Sequence, residues 1–318
     1  MKHASRTTRT RSCGGIFFAS ARAMLKYLSS LLLLALCTGA AAQDSLKTIV
    51  GHITDRDGHS IEYVAVGIPG RNIGTVSDSE GIFSLELPDT TDADLVFFHV
   101  SYKEKSIPSA EIIAADGPVT VILEENRLAA AVVTPGKKKD RRLVGRGARV
   151  PGGVATMEPS STGMEIGSVI EVRKEFTVRK ISFEVLRNAL PGCVLGVNIY
   201  RMEGSPATFD NVLTKPIYCN IPVSEKKTKC QIEPEETVIL SPGKYFIALA
   251  LVDCDRDLQE KWKDKPSWGK DERIDNSMTS IDFPLYLKSG YKRSKAMQDF
   301  ESIPIGTGLT VEGTENQP

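Results

Sequence analysis

Three carboxylates at alternate positions, Asp253, Asp255 and Asp257, form the first candidate metal site in the sequence. Side chains at alternate positions of an extended chain share one face, so their oxygens could converge on a calcium ion. An EF-hand loop starting at Asp253 would need glycine at its sixth position and glutamate at its twelfth, where the chain has Leu258 and Asp264. A calcium site of another kind and a solvated strand end therefore both stay open.

Histidine-based catalysis is the second chemistry to test. His59 and Glu62 have the H-x-x-E spacing of a zinc carboxypeptidase, but that site needs another histidine far downstream, and none follows His99. The chain also contains no G-x-S-x-G elbow. We expect no zinc peptidase, no enzyme activity and no cofactor other than the calcium considered above. A hydrolase that uses only paired carboxylates stays open, because a sequence does not show their separation.

Aromatic residues concentrated near the end of the chain form a candidate ligand surface: Trp262, Trp268, Tyr286 and Tyr291. Both tryptophans of the protein lie in a polar stretch, residues 259–273, where a buried role is less obvious. Exposed rings beside polar groups suit the apolar faces of sugars. The alternative is that these rings cap a β-sandwich core.

Four cysteines lie in the second half of the chain: Cys193, Cys219, Cys230 and Cys254. The polar stretch between Cys219 and Cys230 fits a hairpin turn, and the alternation of apolar residues points both side chains inward. We predict a disulfide between them across the hairpin, with Cys193 and Cys254 as a second pair. Free buried thiols are the alternative.

The first 42 residues have the pattern of a secretory signal peptide. Lys26 precedes a largely apolar run, Leu28–Leu36, and three alanines end at residue 42. Met24 stands immediately before this pattern as an alternative start, and Cys37 raises the alternative of a lipid-modified cysteine. We expect an exported protein, periplasmic, outer-membrane-associated or extracellular, with no transmembrane segment after processing.

The charge balance argues against nucleic-acid binding. The whole chain has 40 basic and 40 acidic side chains, but residues 1–42 hold six of the basic ones and no acid. The remainder carries 34 basic and 40 acidic residues, a net charge of −6. Nucleic-acid binding needs a positive field, so we expect no nucleic-acid partner.

Alternating apolar residues broken by turn residues predict an all-β fold with two sandwiches. We place a small sandwich at residues 46–125 and a larger, jelly-roll-like sandwich at residues 161–318. Between them, residues 126–160 are rich in glycine, and seven basic residues lie between Lys137 and Arg149. This composition predicts an extended basic linker, or a patch for anionic lipids or polysaccharide, and sandwiches that fold independently.

The small sandwich resembles a known domain family. The matching segments are Val50–Asp55, Gly58, Val64–Ile68 and Gly74–Leu85. They are similar to the G-T-x-T-D-x-x-G-x-F pattern of the carboxypeptidase-regulatory-like domain, although Ser77 replaces a threonine of that pattern. The resemblance implies a small transthyretin-like β-sandwich in a protein of the Gram-negative cell envelope.

Together these features predict an exported, non-enzymatic binding or structural protein of the cell envelope. The small sandwich would be a docking or spacer module, and the second would contact a partner protein or a glycan. The alternative is a glycan-binding or glycan-active accessory protein with a carboxylate-based site on the second sandwich.

Overall fold

The computed structural model describes residues 45–115, 117–126, 137–262 and 279–317, and residues 46–318 form one compact unit. The predicted signal segment, including Met24 and Cys37, lies outside the described residues. The all-β prediction is confirmed, because strands dominate the described chain and its helices are short. None of the helices in these ranges has the length and apolar character needed to cross a membrane.

The N-terminal sandwich consists of two facing sheets. Its strands are β1 (Leu46–Thr54), β2 (Ala65–Gly67), β3 (Gly74–Val76), β4 (Ile82–Pro88), β5 (Asp94–Phe98), β6 (Lys105–Pro108) and β7 (Val119–Ile122), and one helix, α1 (Ser109–Ala114), follows β6. One sheet has the order β4-β1-β7, in which β7 is parallel to β1, and the other has the order β3-β2-β5-β6. Phe83, Leu85 and Leu87 alternate with exposed residues along β4, so one face of this strand forms part of the core.

The residues that carry the family resemblance hold the turn before β4. The Ser77 hydroxyl accepts the Val64 N–H at 2.9 Å, and Asp78 Oδ1 accepts the N–H groups of Glu80 and Ile82 at 2.9 and 2.8 Å. Gly81 has φ +73°, and a Cβ there would lie 2.5 Å from a backbone oxygen. A glycine is therefore required at this position.

The C-terminal sandwich follows. Its strands are β8 (Lys137–Gly145), β9 (Arg149–Met157), β10 (Glu165–Val172), β11 (Phe176–Val185), β12 (Arg187–Asn188), β13 (Val194–Glu203), β14 (Thr208–Asn211), β15 (Tyr218–Asn220), β16 (Thr228–Ile232), β17 (Val238–Leu240), β18 (Gly243–Asp253), β19 (Ile281–Arg293), β20 (Glu301–Thr307) and β21 (Leu309–Gln317). A 3-10 turn (Pro159–Ser161) precedes β10, and helix α2 (Arg256–Trp262) follows β18.

These strands form two sheets around one apolar core. The larger sheet has the order β12-β19-β10-β18-β13-β14, with β15 also paired to β13 and with β9 and β20 paired to β19. The smaller sheet has the order β16-β11-β21-β8, with β17 paired to β11. Side chains from both sheets, among them Phe176, Phe183 and Phe283, fill the space between them.

The predicted linker over residues 126–160 is wrong for most of its length. Strand β8 pairs with β21 along all nine of its residues, and β9 pairs with β19. The basic side chains meet acids on β21, since Arg141 lies 3.1 Å from Glu315 and Arg142 lies 3.7 Å from Glu312. Those partners are about 170 residues away in sequence, which is why local composition indicated an unpaired segment.

Strand β18 explains how the two sandwiches pack together. Tyr245, Ile247 and the following alternate residues face the C-terminal core. Ala250 and Val252 face the other way and pack with Tyr63 of the N-terminal sandwich. Every residue from Tyr245 to Val252 is thus buried, so β18 is covered on both faces.

Candidate binding cleft between the two sandwiches

A cleft of about 70 Å³ lies where the N-terminal sandwich meets the outer face of the larger C-terminal sheet. The N-terminal wall contributes Tyr63, Ala65, Val76, Phe98, His99 and Val100. The C-terminal wall is mostly small and apolar, with Gly196, Ala250 and Val252, and it also contains charged and polar side chains. Ligand sites are commonly found in clefts of this kind between domains.

The polar part of the C-terminal wall is a buried group of three side chains, Glu165, Arg293 and Tyr200. Glu165 on β10 and Arg293 on β19 are paired residues of adjacent antiparallel strands, and they form an ion pair. The Tyr200 hydroxyl donates to the Glu165 carboxylate, with distances of 3.1 and 3.0 Å to its two oxygens. Arg293 Nη2 also lies 3.3 Å from the Tyr200 hydroxyl oxygen and donates to it.

Burial and charge set the ionisation of this group. Burial alone would lower the pKa of the Arg293 guanidinium, but the adjacent Glu165 carboxylate and Tyr200 together outweigh this effect, and the pKa is raised. Burial, with the neighbouring Glu165 charge, raises the pKa of the Tyr200 phenol well above its usual range. The cleft therefore holds a guanidinium and a neutral phenol at physiological pH.

Aromatic rings fix the positions of Arg293 and Tyr200. The Arg293 guanidinium carbon lies 4.5 Å from the centre of the Phe300 ring. The Tyr200 ring stacks on Phe246 with centroids 5.9 Å apart and contacts Phe300 edge to face at 5.2 Å. Such packing limits the side-chain rotamers, so the polar atoms are held in one arrangement.

His99 supplies a polar group from the opposite wall. It is 7% exposed, and its Nδ1 accepts the Ser101 N–H at 3.2 Å. Burial, assisted by the nearby charge of Lys215, lowers the pKa of the imidazole to about 4. The ring is therefore neutral at pH 7, and its proton is on Nε2, which has no hydrogen-bond partner among the described residues.

Several contacts hold the two walls together. The rings of Tyr63 and Tyr218 meet edge to face with centroids 4.8 Å apart. The Gly70 N–H donates to the Met297 carbonyl at 3.0 Å. Among the described residues, Tyr63 (φ 56°) and Met297 (φ 64°) are the only non-glycine residues with positive φ. Both of these residues with a left-handed backbone conformation therefore lie at the contact between the two sandwiches.

The sequence reasoning missed this group entirely. Glu165 and Arg293 stand at the ends of apolar strands, where charged residues are usually solvated, and their pairing joins positions 128 residues apart. The available signal was a long buried strand, β18, whose outward face is as apolar as its inward face. That pattern requires a second covering layer.

The predicted calcium site is not assembled. Asp253 ends β18 and its Oδ1 accepts the Cys254 N–H at 2.8 Å. Asp255 Oδ1 accepts the Leu258 N–H at 3.0 Å at the start of α2, and Asp257 lies in the first turn of that helix. The helix breaks the extended geometry that alternate carboxylates would need to converge, so these acids terminate a strand and cap a helix.

Another metal-capable group lies in the turn after β1. Oxygen and nitrogen atoms of Asp55, Asp57 and His59 lie within 4.8 Å of one another, the only such group in the described part of the chain. Asp55 Oδ1 already accepts the N–H groups of Asp57 and His59 at 2.9 and 2.8 Å. These bonds are those of an Asx turn, so the group has a structural explanation.

The predicted aromatic ligand surface does not form as an exposed surface. Trp262 and Tyr286 are each 6% exposed, and Tyr291 packs into the aromatic cluster around Phe246. The Tyr286 hydroxyl lies 3.0 Å from Glu184. Trp268 lies outside the described residues. Two of the three described rings are therefore buried, and the third packs among other aromatic rings.

All four cysteines are free thiols in the structure. The hairpin predicted between Cys219 and Cys230 does not exist, because β15 pairs with β13 in the larger sheet and β16 pairs with β11 in the smaller one. In contrast, Val194 at the start of β13 pairs with Asp253 at the end of β18, so Cys193 and Cys254 flank this pair just outside the two strands.

The hairpin fails because buried Asn188 holds the chain between β15 and β16. Its Nδ2 donates to the carbonyls of Ile221 and Pro222 at 2.8 and 3.2 Å. Its backbone also exchanges two hydrogen bonds with Ser224. The polar segment between Cys219 and Cys230, which the sequence indicated as a turn, is therefore bound by Asn188 and does not form a hairpin.

Comparison with known proteins identifies the first sandwich. Residues 49–133 match the family model of the CarboxypepD_reg-like domain. No curated protein matches the chain.

Two solved structures show only distant likeness to the chain. A VP2 subviral particle of infectious bursal disease virus is 11% identical over 92% of this chain and 86% of that one, with a TM-score of 0.17. A structure of carbohydrate-binding modules from the β-sandwich superfamily is 10% identical over 67% of this chain and 98% of that one, with a TM-score of 0.12. Such low TM-scores carry no argument about function. The family match, the quoted motif and the seven-strand architecture agree that residues 49–133 contain a CarboxypepD_reg-like domain, and a second β-sandwich follows it.

Proposed function

We propose that this protein is an exported, non-enzymatic binding protein of the cell envelope, and that its ligand site is the cleft between its two sandwiches. The observation that carries the proposal is the buried group of Glu165, Arg293 and Tyr200 at the cleft, faced by His99 from the other sandwich. The N-terminal sandwich is then one wall of the site as well as a docking module.

The energetics of burial support this use of the cleft. Removing two charges from water costs several kcal/mol for each ion, and well-packed apolar residues often stabilise a fold as well or better. A chain that needed only to pack two sandwiches together would do so with residues such as Ala250 and Val252. Charged and polar groups placed where space remains are typical of recognition sites.

The arrangement supports binding more than catalysis. Glu165 is engaged by Arg293 and Tyr200, so it is poorly placed to remove a proton. The acceptor nitrogen of His99 is occupied by a backbone N–H, and a histidine that activates a nucleophile needs that nitrogen free. The polar groups of the cleft are therefore suited to hold a ligand in place.

The function is tested by capture of envelope components with the mature chain, residues 43–318. Pull-down from an envelope extract and a glycan array should each be run with wild-type protein and with Ala65→Phe, which fills the cleft. The matched control is Ala110→Phe on α1, where the side chain is exposed. We expect a specific protein or glycan to be captured by wild type and the control and lost with Ala65→Phe. The proposal would be overturned if Ala65→Phe captured as much of the protein or glycan as wild type, or if wild type captured nothing specifically.

Export is tested separately by intact-mass analysis of protein from the native host. The alanine-rich end of the signal pattern predicts a mature protein that begins at Gln43. We expect that mass in an envelope fraction. A mass for acylated Cys37 would instead make the protein a membrane-anchored lipoprotein, and an unprocessed chain in the cytoplasm would contradict export.

A further inference from the structure

We propose that residues 294–299, in the loop between β19 and β20, form a strap that closes the cleft, and that release of this strap from the N-terminal sandwich opens the cleft to its ligand. This inference rests on the proposed function, because it states how a ligand reaches the same cleft. It follows from the size of the cleft, the contacts of the strap and the backbone conformation where the strap meets the N-terminal sandwich.

The cleft as it stands is too small for the ligands proposed above. Its volume is about 70 Å³, which is less than half of the roughly 150 Å³ that accommodates benzene. Tyr63 and Val76 of the N-terminal sandwich pack against an apolar cluster of the larger sheet that contains Ala250 and Val252. A sugar ring or an aromatic side chain of a partner protein enters only if these walls part. The structure therefore represents the closed form of the site.

The strap occupies a space that two glycines of the N-terminal sandwich leave open. Gly67 on β2 and Gly74 on β3 are paired residues of one antiparallel hairpin. A Cβ on Gly74 would lie 2.1 Å from the Ala296 carbonyl oxygen, and a Cβ on Gly67 would lie 3.1 Å from the same atom. The backbone of the strap approaches the hairpin this closely only because both residues lack a side chain. Ala296 is buried as a result.

A backbone hydrogen bond joins the strap to the hairpin, and other bonds lie within the strap itself. The Gly70 N–H, in the connection between β2 and β3, donates to the Met297 carbonyl at 3.0 Å. Gln298 Oε1 accepts the N–H groups of Ser294 and Lys295 at 3.0 and 3.3 Å. The bonds within the strap do not involve the N-terminal sandwich. The strap can therefore leave the hairpin without losing them.

The closed form places two residues in a disfavoured backbone conformation. Met297 of the strap has φ 64°, and Tyr63 on the facing sandwich has φ 56°. Residues with a Cβ rarely adopt this left-handed region, and they remain in it only where the surrounding contacts hold them. Release of the strap removes such contacts from Met297 and allows its φ to become negative. The backbone conformation of Met297 therefore opposes closure and favours release.

The strap is connected directly to the polar group of the cleft. Arg293 precedes the strap and Phe300 follows it, and the Arg293 guanidinium carbon lies 4.5 Å from the centre of the Phe300 ring. Ala296 lines the cleft together with Arg293. The ion pair between Arg293 and Glu165 joins two strands of the larger sheet and does not involve the strap. Release of the strap would therefore uncover the guanidinium and leave it in place.

Hydrogen exchange of two amides in the mature protein tests the release without any ligand. The Gly70 N–H is bonded to the strap, whereas the Ile68 N–H donates to the Ile73 carbonyl at 3.0 Å within the N-terminal sandwich. In wild type we expect the protection factor of the Gly70 amide to be at least tenfold lower than that of Ile68, because the strap opens without unfolding of the hairpin. Equal protection of the two amides would overturn the inference.

The test variant is Gly74→Ala, and the control is Gly243→Ala. The three heavy atoms nearest to a Cβ on Gly74 all belong to Ala296, so this substitution acts on the strap, whereas the nearest atom to a Cβ on Gly243 is 3.8 Å away. We expect Gly74→Ala to lower the protection factor of Gly70 at least tenfold below that of wild type and to leave Ile68 unchanged. Gly243→Ala should leave both amides unchanged.

A dye that binds exposed apolar surface, anilinonaphthalene sulfonate, reports whether the walls part. Its fluorescence should rise at least threefold with Gly74→Ala and stay at the wild-type level with Gly243→Ala, because opening exposes the apolar residues around Ala250. If Gly74→Ala does not fold, the comparison of the Gly70 and Ile68 amides in wild type still decides the matter.

Unchanged protection of Gly70 in a folded Gly74→Ala variant, or dye fluorescence equal to that of wild type, would overturn the inference. In either case an Ala65→Phe-sensitive capture of an envelope component would still support the proposed function. Release of the strap without any specific capture would support the strap and overturn the proposed function. The two failures are therefore distinguishable.

Discussion

Glu165 and Arg293 face each other in register on adjacent strands and form an ion pair inside the protein, with side chains 5% and 13% exposed. Both charges lie beneath the N-terminal sandwich and beside the cleft. Their positions are fixed by two rigid strands of the larger sheet, so the distance between them depends on the fold and little on side-chain flexibility. A binding site built on such elements is held more precisely than one built on loops.

Replacement of Glu165 by alanine should strongly destabilise the protein. The change leaves the Arg293 guanidinium buried without its counter-charge, and breaking a buried pair in this way costs about 3–5 kcal/mol. The measurement is the free energy of unfolding from urea titrations. The control is Glu171→Ala on the same strand, because Glu171 is exposed and lies 3.8 Å from an exposed Arg173. Equal effects of the two substitutions would contradict the buried role of the pair.

Strand β8 should resist trypsin in the native protein. Its residues Arg141 and Arg142 are paired along β21 by backbone hydrogen bonds, and protease cleavage requires an extended chain free of such pairing. In a time course analysed by mass spectrometry, we expect cleavage after these arginines only after other sites are cut or the protein unfolds. Early cleavage at Arg141 or Arg142 would restore the linker interpretation of this segment.

The sequence was informative where the determinants are local. The Asp78 carboxylate accepts the N–H groups of Glu80 and Ile82, two and four positions along the chain, so the turn of the N-terminal sandwich could be predicted from its motif. Alternation along β4 likewise depends on one strand alone. Local signals of this kind need no knowledge of the partner strands.

Prediction failed where the determinant is a distant partner. The basic stretch of β8 meets Glu312 and Glu315 only when the chain end returns to it. The segment after Cys219 has the composition of a hairpin turn, but in the fold it is bound by Asn188, about 33 residues earlier in the chain. The cleft itself requires residues from both sandwiches. Long-range pairings of this kind are set by topology, which a single sequence does not specify.

Oxidation should join Cys193 to Cys254 and leave Cys219 and Cys230 as thiols. Cys193 precedes Val194 and Cys254 follows Asp253, and these two neighbours are paired on adjacent strands. Cys219 and Cys230 lie on strands of different sheets. Burial, together with nearby Asp253, raises the pKa of the Cys254 thiol to about 12, so the reaction should be slow. In the chain-entropy model the bond would stabilise the fold by about 4 kcal/mol.

Peptide mapping without reduction, after incubation with oxidised glutathione, identifies the linkage. The double variant Cys219→Ser/Cys230→Ser should keep the bond, and Cys193→Ser should lose it. A bond between Cys219 and Cys230 in place of the Cys193–Cys254 bond would contradict this prediction.

The stability of the protein should fall at mildly acidic pH because of His99. Burial, with a smaller effect of Lys215, lowers the pKa of His99 from 6.5 to about 4 in the folded protein. Above pH 6.5 the imidazole is neutral in both the folded and the unfolded chain, so the contribution of His99 to stability does not change with pH. Below pH 6.5 the unfolded chain binds a proton that the folded protein resists. Stability is therefore lost progressively as the pH falls from 6.5 to 4, by up to about 3 kcal/mol.

Urea unfolding of wild type and His99→Gln at pH 7 and pH 4.5 isolates this contribution from that of the carboxylates. The difference in stability between the two pH values should be smaller in His99→Gln, because glutamine does not titrate. His59→Gln serves as the control and should retain most of the wild-type pH dependence, since His59 is 80% exposed and an exposed ion pair such as His59–Asp55 contributes little to stability. If His99→Gln lost as much stability as wild type between these pH values, His99 would not be buried as a neutral ring in the folded protein.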